Sequence, residues 1–189
     1  MTESWKDITV VIGKLVLVSL IAALLLGLTY VPTQDQLKQN EIKAREEALN
    51  EVVPSASEFE PVYGDKINEG GEQEILYYRA FDSSGNLVGY AFFRQQSGSQ
   101  STIKLAGGVD ASFNEITGMK VMKHSETPGL GAKITTEEFR SQFYNLPLKD
   151  LQLSKNGGSV DAITGATISS QAVVDALNAK VDQIKEQET

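Results

Sequence analysis

Glu74-Ile75-Leu76-Tyr77-Tyr78-Arg79-Ala80-Phe81-Asp82 and Leu87-Val88-Gly89-Tyr90-Ala91-Phe92-Phe93-Arg94-Gln95 flank the turn formers Ser83-Ser84-Gly85-Asn86. Aromatic and β-branched runs on either side of such a turn predict a β-hairpin. Downstream, Thr102–Val109 and Glu115–Lys123 read as two further strands. Thr135–Tyr144, with Thr135 and Thr136 ahead of Glu137 and Glu138 and with Phe139 and Phe143 four apart, reads as a capped helix. In Ile168–Glu186, Val174, Leu177, Val181 and Ile184 are spaced three, four and three apart, one apolar face of a helix. Antiparallel strands followed by helices predict an α+β domain.

Upstream of the hairpin, Pro61, Gly64, Gly70 and Gly71 break any pattern, so Pro54–Gln73 reads as loop or short irregular structure. Thr33–Val53 is polar and rich in Glu, Lys, Ala and Gln. A helical stripe of Leu37, Ala44, Ala48, Leu49, Val52 and Val53 makes it a stalk helix. Ile8–Val31 is apolar apart from Lys14. As a helix it would be roughly 36 Å long, enough to cross a hydrocarbon core of about 30 Å. Lys14 can snorkel, and Trp5 and Tyr30 stand near the two expected interfaces. A cleaved signal peptide would have a basic start, a shorter apolar run and a small-x-small site. The slightly acidic Met1–Asp7 and the sequence Thr29–Thr33 suit a retained anchor better. The expected division is an anchor over 1–32, a stalk over 33–53 and the α+β domain over 54–189. Lys6 and Lys14 before the apolar run are matched by Lys38, Lys43 and Arg45 after it, so charge leaves the orientation open.

Composition closes many alternatives. Seventeen Lys and Arg against 25 Asp and Glu give a net charge of -8, which argues against nucleic acid as a partner. The anchor region is charge-balanced, so the excess acid belongs to the soluble part and disfavours lying flat on anionic lipid. The absence of cysteine excludes disulfides, iron–sulfur clusters and thiolate zinc sites. One histidine, His124, leaves little for a transition metal, and no metal site is expected. Redox or group-transfer chemistry would fall to an organic cofactor, or to carboxylates and hydroxyls.

Asp161-Ala162-Ile163-Thr164-Gly165-Ala166-Thr167-Ile168-Ser169-Ser170 immediately precedes the terminal helix. Small residues allow close approach to a ligand, and hydroxyls at 164, 167 and 169 offer hydrogen bonds. The helix start behind them presents unpaired N–H groups and the positive end of its dipole. Those features suit a phosphate; they also suit an ordinary N-cap. In His124-Ser125-Glu126-Thr127-Pro128-Gly129-Leu130-Gly131-Ala132-Lys133, the prolyl-glycyl pair and Gly131 make a bent, open loop. Such a loop could lie against a flat ring, or be a plain glycine-rich turn. His124 could meet a ring edge or be structural, and Lys133 could balance an anion or sit at the surface.

Asp161-x-x-Thr164-Gly165-Ala166-Thr167 resembles the D-x-x-[ST]-G-A-T flavinylation motif of the FMN-binding domain family, with Ile168 where many members place Ser or Thr. The segment from His124 to Gly131 resembles that family's H-x-E-T-P-G-L-G stretch, and the two occur in the family's order. Ala48-Leu49-x-x-Val52-Val53-Pro54-x-Ala56 is similar to the region after the anchor in the G subunits of Rnf ion-translocating ferredoxin:NAD oxidoreductase complexes. The resemblance implies FMN joined by a phosphoester to Thr167 through a flavin transferase that uses FAD as donor. It implies a cofactor site of Asp161, Thr164, Gly165, Ala166, Glu126, Thr127, Gly129, Leu130 and Gly131. It further implies an electron-transfer role beside other membrane and peripheral subunits of an Rnf-type complex, with the soluble domain on the extracytoplasmic side of the cell membrane. The alternative is the FMN-carrying subunit of a sodium-translocating NADH:quinone reductase, or of another extracytoplasmic flavin chain. No catalytic residue and no nicotinamide site are expected on the chain, since no G-x-G-x-x-G follows a strand.

Overall fold

The expected hairpin is the centre of a six-stranded antiparallel meander in the order β1-β2-β3-β4-β5-β6. A computed structural model describes residues 2–67, 71 and 73–188, without the side chains of 2–4, 6–7 and 28–35. Strands β2 (Gln73–Phe81) and β3 (Leu87–Ser97) meet around the Asp82–Asn86 turn, where the Asp82 carboxylate accepts the N–H groups of Ser84 and Asn86. Strands β4 (Thr102–Asp110) and β5 (Glu115–Lys123) follow, and a short β6 (Leu146–Pro147) closes the far edge. The longest register is β3 with β4, unbroken from Gly89↔Asp110 to Ser97↔Thr102.

The first strand corrects the expectation of a loop before the hairpin: Glu58–Ile67 forms β1, paired antiparallel with β2. Pro61 and Gly64 do not prevent this because β1 is an edge strand. There a proline's missing N–H need not leave a ladder bond unmade, and two register shifts, at Val62/Tyr63 and Tyr63/Ile67, absorb the irregularity.

Helix α3 (Thr167–Glu188) covers one face of the sheet. Its Val173, Val174, Leu177, Val181 and Ile184 pack with Phe92, Ile103, Leu105, Ile116 and Met119, the large side chains of the main core. The other face is built of small residues: Ala80, Ala91 and Ala106 receive Ala48, Leu49, Val52 and Val53. Gly107 and Gly108 let both helices approach. A methyl at Gly107 would lie 2.5 Å from Leu177 Cδ2, and one at Gly108 would lie 2.2 Å from the Val52 carbonyl oxygen. Alternation along β4 sends these two contacts to opposite faces.

Those N-terminal residues belong to helix α1 (Thr2–Val52). The compact unit that holds the sheet begins at Arg45, earlier than the expected boundary at Pro54. The end of the expected stalk is core, because its apolar stripe finds the alanine face. Glu51 is held there by Lys120, at 2.7 Å, and by the Arg140 guanidinium. Leu37, which the stripe included, is 56% exposed. In the other unit, Ile8–Gly27 is long and apolar enough to span a membrane, with a mean hydropathy of 2.6 and none of it buried. Trp5 is exposed; the side chains of Tyr30 and Lys6 lie outside the described residues.

The capped helix expected over Thr135–Tyr144 is broken into pieces. A 3-10 turn at Gly131–Thr135 leads into the single α-turn α2 (Glu137–Arg140) and a second 3-10 turn at Ser141–Phe143. Thr136 does not cap: the hydroxyls of Thr135 and Thr136 donate backwards to the carbonyls of Ala132 and Lys133. The phenylalanine spacing is nevertheless used. Phe139 and Phe143 are buried edge to face, with centroids 5.4 Å apart.

Candidate functional site

Two glycine turns meet at the start of α3. In Thr127-Pro128-Gly129-Leu130, the Leu130 N–H donates to the Thr127 carbonyl at 3.2 Å and Gly129 has φ +76. In Ile163-Thr164-Gly165-Ala166, the Ala166 N–H donates to the Ile163 carbonyl at 2.9 Å and Gly165 has φ +78. Each is a turn with glycine at the third position in a left-handed conformation, the type II pattern, and proline occupies the favoured second position of the first. Leu130 Cδ2 lies 3.1 Å from where a Gly165 side chain would begin, so the turns touch. The two motifs, about 40 residues apart in sequence, are neighbours in space.

Each turn is fixed from behind. Ser170 Oγ donates to the Ala166 carbonyl and accepts from the Ile163 N–H, both at 3.0 Å, locking the second turn onto the helix. Gln142 grips Asp161 through both backbone groups, accepting its N–H at 2.7 Å. Behind the first turn stands Glu126, 4% exposed. Its Oε2 accepts from Ser169 Oγ at 2.6 Å, and its Oε1 accepts from the N–H groups of Gln100 and Ser101 and from Ser101 Oγ. Burial pushes this carboxyl up, but hydrogen bonds from Ser169, Gln100 and Ser101 outweigh it and hold the group below the ordinary glutamate value. Gly131 is needed beside it, since a methyl there would meet Glu126 Oε2 and Ser169 Oγ at 2.7 Å.

Glu126 therefore faces inward. It ties the β3–β4 turn, the first glycine turn and α3 together, and it does not present a carboxylate to the surface. Ser169, one of the three hydroxyls counted in the motif, is consumed in the same cluster. His124 also has a structural partner: its Nδ1 accepts the Glu126 N–H at 3.2 Å. Ser101, Ser170 and Gln142 carry the support and were not singled out from the sequence. Their only signal there is a hydroxyl or amide at a loop or helix end.

What remains at the surface is Asp161, Thr164, Gly165, Thr127, Gly129 and Leu130, with Thr167 half-buried at the start of the helix. Ala166 is buried. Thr167 is the first residue of α3, and the first intrahelical bond runs from the Ser170 N–H to the Ala166 carbonyl. The N–H groups of Thr167, Ile168 and Ser169 consequently have no acceptor within the helix, and they stand at the positive end of its dipole. The Thr167 hydroxyl has no hydrogen-bond partner among the described residues. Ile168, the next residue of the helix, and Leu130, which touches Gly165, are 63% and 44% exposed. A groove of about 250 Å³ is bordered by Ser97, Lys155, Thr167 and Gln171, and a second, of about 220 Å³, is bordered by Lys133, Phe139, Asp161 and Thr164. Chemically the arrangement offers an accessible hydroxyl, unpaired N–H donors for a phosphate and an apolar edge for a flat group.

Residues 98–182, which include both glycine turns, match the family model described as FMN-binding domain. The chain is 55% identical to the G subunit of the ion-translocating oxidoreductase complex of Methanosarcina acetivorans, over 97% of both chains. It is 30% identical to the G subunit of the Na(+)-translocating ferredoxin:NAD(+) oxidoreductase complex of Acetobacterium woodii, over 94% of this chain and 91% of that one. Among solved structures, the C subunit of the Na(+)-translocating NADH-quinone reductase of Parabacteroides distasonis shares the fold. Its TM-score is 0.60 at 22% identity, covering 82% of this chain and 97% of that one.

Proposed function

The chain belongs to the family of G subunits of ion-translocating oxidoreductase complexes, and from that membership we propose that it carries electrons on an FMN esterified to Thr167. It is a membrane-anchored electron-transfer subunit of a complex that couples electron flow between ferredoxin and NAD to the translocation of sodium ions or protons. Its partners are the other subunits of that complex. The soluble domain works on the extracytoplasmic side, a compartment in which a chain without cysteine has no thiol to oxidise.

The observation that carries the reading is the Thr167 hydroxyl, unpartnered, at the first position of α3 and directly after the second of two touching glycine turns. The residues present fit the group. The N–H groups of Thr167, Ile168 and Ser169 would face a phosphate on that hydroxyl, as helix N-termini do for anions. Leu130 and Ile168 give apolar surface to a ring, and the left-handed Gly129 and Gly165 keep the approach free of side chains. Asp161 and Thr164 stand at the rim, where an incoming enzyme can reach them. Glu126, which the family resemblance places among the cofactor residues, acts here by positioning, holding Ser169 and the PGLG loop so that Thr167 stays presented.

Attachment needs a flavin transferase. The Thr167 Oγ–phosphorus bond forms, the phosphoanhydride bond of FAD breaks, AMP leaves and the hydroxyl proton goes to solvent or to a base on the transferase. Bound FMN supplies one- and two-electron transfer, which neither the single histidine nor any other side chain of this chain could provide. The chain's own part is to hold, orient and expose.

Co-expression with a flavin transferase tests this. Wild type is expected to show flavin fluorescence that survives denaturing electrophoresis, Thr167→Ser to retain it in part and Thr167→Ala to lose it. Fluorescence persisting in Thr167→Ala refutes the assignment.

A further inference from the structure

Strands β2 and β3 pair only from Tyr78↔Ala91 to Phe81↔Leu87. Yet β1 follows β2 back to Gln73, and β4 follows β3 out to Ser97. The sheet therefore forks, and a cleft of about 630 Å³ lies between the two hairpins, floored by the far part of α3. It is remote from Thr167: Lys180, on its wall, is thirteen residues further along α3, roughly 20 Å at the helical rise.

The cleft concentrates cations in an acidic protein. Lys66, Arg94, Lys104 and Lys180 line it against Asp65 and Glu74, four positive groups to two negative in a chain of net charge -8. Two of the cations are unusually placed. Lys180 is 6% exposed and uses one of its three ammonium protons, on Gln183 Oε1 at 2.9 Å. Arg94 Nε is buried with no hydrogen-bond partner among the described residues. Burial, and then the neighbouring Arg94, depress the lysine, with Glu74 opposing them. A buried cationic donor without an acceptor is costly, and an acceptor entering the cleft would relieve both side chains at once.

We propose that this cleft is a phosphate-binding site, taking the phosphate group of a small ester or of a lipid headgroup. The excess of two positive charges matches a phosphate better than a monocarboxylate, and the arginine fork suits its oxygens. Leu76 on the same wall leaves an apolar surface for the organic remainder.

The test titrates the full flavin-loaded chain, in phosphatidylcholine nanodiscs, with inorganic phosphate at constant ionic strength by calorimetry. Saturable binding is expected, weakened about 10-fold or more by Arg94→Gln and by Lys180→Gln, as loss of one charge-assisted hydrogen bond implies. The remote, exposed Lys149→Gln should leave it unchanged. Should either variant fail to fold by circular dichroism, Lys66→Gln on the exposed wall is expected to weaken binding in the same direction. No saturable binding, or equal affinity in wild type and every folded cleft variant, overturns the proposal. A second arm replaces phosphatidylcholine with phosphatidylglycerol. Loss of phosphate binding there supports the site with the lipid headgroup as occupant, and unchanged binding supports it with a soluble phosphate ester.

Discussion

The two ends of α3 are built for opposite purposes. At Thr167 the helix begins with three unassigned N–H groups, a hydroxyl without a partner and exposed neighbours. At Glu188 it ends in a clamp. The Glu188 carboxylate accepts from the Tyr77 hydroxyl, from Arg79 at 2.8 and 3.0 Å and from Tyr90 at 3.4 Å. Tyr77 in turn meets Tyr90 edge to face, with centroids 6.0 Å apart. One end is closed by its side chains, and the other leaves a hydroxyl and backbone donors without partners. An accessible, unpartnered hydroxyl at one end is tolerable because rigidity is supplied elsewhere, by Glu126 and Ser170 behind the turns and by Glu188 at the far end.

Exchanging the defects breaks that comparison most sharply. Thr167→Ala is expected to abolish covalent flavin while changing unfolding free energy by no more than about 0.5 kcal/mol, since the hydroxyl has no internal partner. Equilibrium denaturation beside in-gel fluorescence checks both halves. Glu126→Ala is expected to do both kinds of damage. It strands Ser169, Ser101 and two backbone N–H groups in a buried site, costing about 2–4 kcal/mol, and it loosens the turns enough to slow flavin attachment.

The acid limb sharpens this further. Because folding depresses the Glu126 carboxyl, the stability it confers is present above about pH 4.3 and is lost as pH falls below that. Glu188 titrates in the same direction: burial raises it, but the Tyr77 and Arg79 hydrogen bonds and the Arg79 charge win. Folded Glu126→Gln should lose less stability than wild type between pH 5 and 3 in chemical-denaturation series. Gly107→Ala should cost about 1–3 kcal/mol by pressing on Leu177 and Phe92, with flavin loading intact. The smallest effect is at the clamp. Tyr77 is pushed up to about 12 by burial and by Glu188, so its contribution is full below about pH 10 and is lost as pH rises through 12. Glu188→Gln should bring its phenolate titration down, read by ultraviolet absorbance, and cost about 1 kcal/mol.

The sequence was legible where pattern and environment coincide. The hairpin, β4, β5 and α3 each repeat with the period of the face they bury, and two motifs marked two turns. β1 was illegible because Pro61 and Gly64 are breakers everywhere except on an edge strand. The Thr135–Tyr144 segment was misread because its hydroxyls bond backwards to a 3-10 turn that the one-dimensional pattern does not reveal. The motif marks Glu126, but not the buried hydrogen bonds that hold its carboxylate inward. A carboxylate beside a glycine turn looks like a ligand until the partners Ser169, Gln100 and Ser101 arrive from elsewhere in the chain. The fork between β2 and β3 had no sequence signal at all, because it is a failure of pairing between strands that are each regular.

The proposed attachment at Thr167 is tested most directly by mass spectrometry of the proteolytic peptide that contains it, taken from chain matured with a flavin transferase. The account predicts that peptide heavier by FMN less one water, with fragment ions placing the addition on Thr167. An unmodified peptide, or the same addition on Thr164 or Ser169, would contradict it.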